Sequence, residues 1–220
     1  MNNKPTIIKL PIQSFCFGVR NAIKKTNNVL NNEDTVKPLS MLGEVVHNKY
    51  VSEYFENQGI TVYKEGTRLE MLDNIDKGTV IITAHGVSDQ VKNKINSLGL
   101  SSIDTTCPFV SNSIMLIKKY LHLDYTIIYI GSKNHPESET AVSFGNKVIL
   151  ISSIDEAKNL NINTDKLIVT NQTTMSMYDI QDIINCLKSK YPHLETMEKV
   201  CSASIERQRM VMETAKQHQN

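Results

Sequence analysis

Short apolar runs rich in Ile, Val, Thr and Tyr alternate along the chain with longer segments whose apolar residues recur every three or four positions. That combination predicts strands and amphipathic helices of an α/β protein. Thr79 to Thr83 and Thr126 to Ile130 are strand-sized, and Thr6 to Ile12 reads as a strand followed by a helix with Val19, Ala22, Ile23 and Leu30 on one face. Ser102 to Thr105 reads as a strand end. The next helix carries Val110, Ile114, Ile117 and Leu121 on one face and opens at Pro108, whose missing N–H is tolerated in a first turn. Leu194 to Val200 predicts a further strand, and Ser202 to Lys216 a helix with a less regular apolar face.

Cysteines mark three of these strand-to-helix junctions: Cys16, Cys107 and Cys201, separated by 91 and 94 residues. A fixed period of that length is an internal repeat of a small α/β unit. The repeat extends beyond the cysteines. Gly43-Glu-Val-Val-His47 follows Cys16 and Gly131-Ser-Lys-Asn-His135 follows Cys107, with the histidines 31 and 28 residues after the cysteine. Ile82-Thr-Ala-His-Gly-Val-Ser88 corresponds in turn to Val169-Thr-Asn-Gln-Thr-Thr-Met-Ser176. Two full repeats are expected, with a third that starts at Cys201 and is cut short before its Gly-x-x-x element.

Composition narrows the classes of function. The 220 residues carry a formal net charge of +1 with 21% charged and 40% hydrophobic residues, which favours neither disorder nor nucleic-acid binding. No apolar run approaches the roughly 20 residues that cross a bilayer. The N-terminal segment lacks the apolar core of a secretory signal, so a cytoplasmic address is the default expectation. Four scattered cysteines do not make a disulfide framework. Cys186, within the helical stripe of Ile180, Ile183, Ile184 and Leu187, reads as packing, and His122, His193 and His218 as solvated residues.

Ligands of open α/β units usually bind at the carboxyl ends of strands, where all these motifs fall. A thiolate at a helix N-terminus is stabilised by the dipole, and three equivalent junctions bring three thiolates to one pseudo-threefold axis. Such a set suits an iron–sulfur cluster, zinc with a histidine, or no metal at all, although the close Cys pairs usual for structural zinc are absent. His47, His85, His135 and Thr173 are candidates for holding phosphate oxygens. Glu137, two residues past His135, becomes a proton donor if burial raises its pKa.

Together the motifs resemble the 4-hydroxy-3-methylbut-2-enyl diphosphate reductase family. The resemblance rests on Phe15-Cys-Phe-Gly-Val-Arg20, Gly43-Glu-Val-Val-His-Asn-Lys-Tyr-Val51, Ala84-His-Gly-Val87, Asp104-Thr-Thr-Cys-Pro108, His135-Pro-Glu137, Gln172-Thr-Thr174 and Cys201 with Arg207-Gln208. It implies an α/β fold, a pseudo-threefold trefoil of small subdomains around a central [4Fe-4S] cluster ligated by Cys16, Cys107 and Cys201. It further implies that His47, His85, His135 and Thr173 hold the substrate diphosphate while Glu137 relays protons. The implied reaction removes the allylic hydroxyl as water with electrons from a ferredoxin or flavodoxin type donor, giving isopentenyl and dimethylallyl diphosphate.

The expected division is 1–13 as a strand of the third subdomain, 14–105 and 106–199 as two full subdomains, and 200–220 as the start of the third, which is largely missing. Ser14 stands where the family commonly has glycine, and Ser202-Ala-Ser204 replaces its usual Asn/Tyr-Ala-Thr. Family members also carry a later Ser-Ser-Asn element and a further serine that complete the diphosphate pocket. The expectation is therefore a C-terminally shortened reductase with little or no turnover on its own. Two other readings stay open: a non-catalytic remnant that binds a phosphorylated metabolite or a partner chain, and a Cys/His zinc protein.

Overall fold

Val80 and Ile81 are fully buried and Thr79 and Ile82 nearly so, as an unbroken β-branched run predicts for a parallel strand with helices on both faces. The computed structural model describes residues 7–218. Its first unit runs α1 (Phe17–Asn31), β1 (Leu39–Leu42), α2 (Lys49–Asn57), β2 (Thr61–Tyr63), α3 (Arg68–Leu72), β3 (Thr79–Ile82), α4 (Asp89–Ser97) and β4 (Ser101–Asp104). The second repeats the order as α5 (Pro108–His122), β5 (Thr126–Ile130), α6 (Pro136–Val142), β6 (Val148–Ile151), α7 (Ile154–Asn159), β7 (Leu167–Asn171), α8 (Met177–Lys190) and β8 (Glu195–Thr196). Helix α9 (Ser202–Gln217) follows.

The two sheets have the same topology, β2-β1-β3-β4 and β6-β5-β7-β8, with every pair parallel. Side-chain alternation divides each sheet between two cores. Met41 and Ile81 face α1 and α2 with Ala22 and Phe55, whereas Leu42, Val80 and Ile82 face Leu72, Val91 and Ile95. In the second sheet Ile128, Ile130 and Val169 pack on Ile180, Ile184 and Leu187 of α8, while Ile127, Tyr129 and Ile168 pack with Ile117 of α5. Cys186 packs at the edge of the α8 core. His122, His193 and His218 are exposed.

Two expected strands differ. Ile7 to Ile12 has no regular structure, and Ile7 is 84% exposed; Thr6 lies outside the described residues. An extended segment needs an edge to pair with, Pro11 supplies no N–H, and neither sheet offers this segment a neighbour. Leu194 to Val200 contracts to Glu195–Thr196, which pairs with Ile168 and Val169. Helix α9 forms as expected but buries none of its residues. Among the described residues, no helix is long and apolar enough to cross a membrane.

Candidate active site

Cys16, Cys107 and Cys201 are the N-caps of α1, α5 and α9, the helices that open successive units. All three have extended backbone, and none makes the side-chain cap hydrogen bond that a serine or aspartate would. None of the three helices has an acidic residue in its first turn, whereas all the others except α2 do. Three positive helix ends are thus left without internal counter-charge. The backbone fixes two of these caps in equivalent ways: the Cys107 N–H donates to the Ala84 carbonyl at 2.9 Å and the Cys201 N–H to the Thr173 carbonyl at 2.8 Å.

The three thiols line one cavity of about 310 Å³. A methyl group placed on Gly18 would lie 2.6 Å from Cys107 Sγ and 4.0 Å from Cys16 Sγ, so these sulfurs sit beside one another around the glycine. Burial pushes the Cys107 thiol up; the nearby Phe109 and Val110 N–H groups pull it partly back, and proximity to Cys201 and Cys16 raises it further. Gly18→Ala is accordingly expected to displace the Cys107 sulfur and lower metal retention by the chain, read as metal per chain after anaerobic purification. The helical fold, followed by circular dichroism, should be retained, since alanine is favoured over glycine within a helix.

The same cavity is lined by His47, His85, Glu137 and Thr173. His135 joins them through its ring, 5.3 Å from that of His47 and 5.5 Å from that of His85, with His47 and His85 4.2 Å apart. All five candidate residues therefore meet at one place. His47 and His85 follow β1 and β3, and His135 and Thr173 follow β5 and β7, so the repeat supplies the geometry twice.

Three clustered histidines could hold a divalent cation as well as an anion. Hydrogen bonding favours the anion. His135 caps α6 by accepting the Glu137 N–H at Nδ1 over 3.1 Å, which leaves the proton of the neutral ring on Nε2 as a donor rather than a lone pair. His85 is held well below the usual range, at about 3, by burial first and then by His47, His135 and Arg68. Burial, His47 and Arg68 bring His135 to about 4. Both rings are neutral donors near pH 7.

A comparison with known families decides the membership of the chain. Residues 7–220 match the family model described as LytB protein. The chain belongs to the LytB family. Its relatives include the 4-hydroxy-3-methylbut-2-enyl diphosphate reductases of Bacillus subtilis (strain 168), 43% identical, and of Geobacillus sp. (strain WCH70), 44% identical, each over 96% of this chain. The chain spans 67% of the length of both. It also resembles the solved Plasmodium falciparum E-1-hydroxy-2-methyl-but-2-enyl-4-diphosphate reductase, with a TM-score of 0.85 at 27% identity over 94% of this chain and 64% of that one. A second solved (E)-4-hydroxy-3-methyl-but-2-enyl diphosphate reductase shares the fold, with a TM-score of 0.74 at 24% identity over 95% of this chain and 73% of that one.

In this LytB chain Glu137 is only 4% exposed. Its Oε1 accepts the Thr173 N–H at 2.9 Å and the Tyr129 hydroxyl at 3.3 Å, while Oε2 lies 3.1 Å from Thr173 Oγ1. Burial raises its pKa to about 7 against the opposing pull of these donors. Because Oε1 already accepts two hydrogen bonds, the proton of the neutral acid belongs on Oε2, facing the Thr173 hydroxyl.

Sequence reasoning missed two residues here. Tyr129 has the one polar side-chain group in the buried run Ile127 to Ile130, and that oddity was its available signal. Arg68 gave no signal, because a lone arginine near a helix start reads as solvated.

Proposed function

We propose that the chain carries the cluster-holding and diphosphate-holding part of an enzyme that reduces 4-hydroxy-3-methylbut-2-enyl diphosphate to isopentenyl and dimethylallyl diphosphate. The reaction takes up two electrons and two protons and releases the allylic hydroxyl as water. One observation carries this reading: three uncapped thiols and His47, His85, Glu137 and Thr173 open on a single cavity, with the His135 ring beside two of them. In this reading residues 14–105 and 106–199 are the two repeated subdomains that face each other across it.

The donor set fits a [4Fe-4S] cluster, since three soft thiolates at unneutralised helix ends suit an anionic iron–sulfur centre. When bound, such a cluster supplies electrons and a Lewis-acidic position left without a protein ligand. The three histidines and the Thr173 hydroxyl hold the diphosphate, with His85 and His135 acting as neutral donors. Glu137 holds a proton on Oε2 and passes it by way of Thr173 Oγ1 toward the reacting end of the substrate. A one-electron protein of ferredoxin or flavodoxin type is the fitting reductant, and four unpaired cysteines suit the reducing cytoplasm.

Anaerobic purification of the 220-residue chain tests the reading. Iron and inorganic sulfide in equal amounts, with a broad absorption near ~400 nm, together with binding of inorganic pyrophosphate, are the expected result. Colourless protein holding zinc that is lost on His85→Ala would replace it with a zinc site on the histidines. Iron-free protein that still binds pyrophosphate would leave a phosphate-binding remnant.

A further inference from the structure

Neutral His85 and His135 leave an anion pocket short of charge, and one permanent cation lies within electrostatic reach of both rings. Arg68 begins α3, and its charge reaches both His85 and His135. Its guanidinium lies flat against the turn that leads to His47: a side chain on Gly43 would meet Arg68 Nη1 at 2.4 Å and Cζ at 2.7 Å. Gly43 has φ +83, a conformation open to glycine, and its N–H donates to the Tyr63 carbonyl at 2.8 Å. The arginine therefore occupies the space that the glycine leaves.

A guanidinium drawn partly out of solvent normally finds a carboxylate. Among the described residues, Arg68 Nε is buried without a hydrogen-bond partner, and the one hydrogen bond its side chain makes is a weak one from Nη1 to Met71 Sδ at 3.5 Å. Among the described residues no carboxylate lies within ion-pair distance of it, and Glu139 on α6 acts on it only through space. Glu44, next to Gly43 in the chain, sits 3.9 Å from His47 Nδ1, and Glu70 is occupied in the Thr67 capping box. An unneutralised positive charge has thus been placed within reach of the His85 and His135 rings, at the expense of part of its own solvation.

We propose that Arg68 is a positioning residue of the anion pocket, a fixed cation that draws the diphosphate onto the histidines while wedging the Gly43–His47 turn in place. This rests on the diphosphate reading of the site. It also explains how the neutral His85 and His135 rings suffice: the charge that attracts the ligand is held on a group that does not titrate in the physiological range, and the rings add direction.

The experiment compares Arg68→Met, Arg68→Lys and Glu139→Gln in the full chain. Pyrophosphate affinity is measured by calorimetry, and the histidine ring titrations are followed by NMR in the absence of ligand. Arg68→Met is expected to weaken pyrophosphate binding about tenfold or more, the effect of removing one partly desolvated unit charge. It should also raise the titration midpoints of His85 and His135, because a repelling neighbour has gone. Arg68→Lys retains the charge and should keep both midpoints near the parent values. Glu139→Gln, an exposed site that leaves Arg68 in place, should tighten pyrophosphate binding and lower both midpoints. Midpoints unmoved in folded Arg68→Met, or unmoved in Glu139→Gln should the arginine variant not fold, overturn the proposal. A parent chain that does not bind pyrophosphate overturns the diphosphate reading instead, while the ring titrations still decide whether Arg68 sets the charge.

Discussion

Cys107→Ser is expected to strip the chain of iron and of its visible absorption, while Cys186→Ser leaves both intact. The oxygen of serine is a hard, weakly acidic donor that does not replace a thiolate on iron, and a centre held by only three sulfurs has none to spare. Cys16→Ser and Cys201→Ser should behave as Cys107→Ser does, because all three cap helices in the same way and line the same cavity. Cys186 lies on α8, against the core and away from that cavity. A stability measurement separates lost ligation from lost folding. Serine is a better N-cap than cysteine, so the metal-free Cys107→Ser protein should be at least as stable as the metal-free parent, by up to about 1 kcal/mol in denaturant unfolding. Retention of iron by the Cys107 variant, or its loss from the Cys186 variant, would remove the three capping thiols as the ligand set.

The repeat was the most legible feature of the sequence. Cysteines 91 and 94 residues apart, each expected at a strand-to-helix junction, marked three helix N-caps, although among the described residues no strand precedes Cys16. The matching offsets of His47 and His135 brought two residues to one site from separate sheets. Thr173 was readable through its equivalence with His85 and through the Gln172-Thr-Thr174 motif of the family resemblance, since a lone threonine in a strand-end loop has no signature of its own. Periodicity failed where a segment depends on a neighbour: Ile7 to Ile12 has strand composition but no sheet edge beside it, and Leu194 to Val200 keeps two residues in the ladder. Tyr129 and Arg68 lay beyond pattern altogether. Their roles come from where β5 and α3 place them, and a hydroxyl–carboxylate contact across eight residues of strand and loop leaves no periodic trace.

Glu137→Gln is expected to stabilise the chain at alkaline pH and to lower turnover in any active form of the enzyme by at least about a hundredfold, the lower end for a lost general acid. Burial raises the Glu137 pKa from 4.5 to about 7. Between those values the folded chain keeps a proton that the unfolded chain releases, so stability is favoured at low pH and declines as pH rises through 7. Above that the parent bears the full penalty of a buried carboxylate, about 3 kcal/mol from the shift alone.

Glutamine avoids this penalty and suits the same partners. Its Oε1 can accept from the Thr173 N–H and the Tyr129 hydroxyl, and its amide can donate to Thr173 Oγ1. The advantage of the variant should therefore be small at pH 4.5, grow to pH 7 and level off beyond it. His85 and His135 act in the opposite direction, losing stability as pH falls below 6.5 because the unfolded rings take protons that the folded ones refuse. That contribution is common to parent and variant and cancels in their difference. Denaturant unfolding of both proteins from pH 4 to 9 measures the difference directly. A constant offset across that range would make Glu137 an ordinary ionised carboxylate, and the proton on Oε2, with the relay through Thr173, would have to be given up.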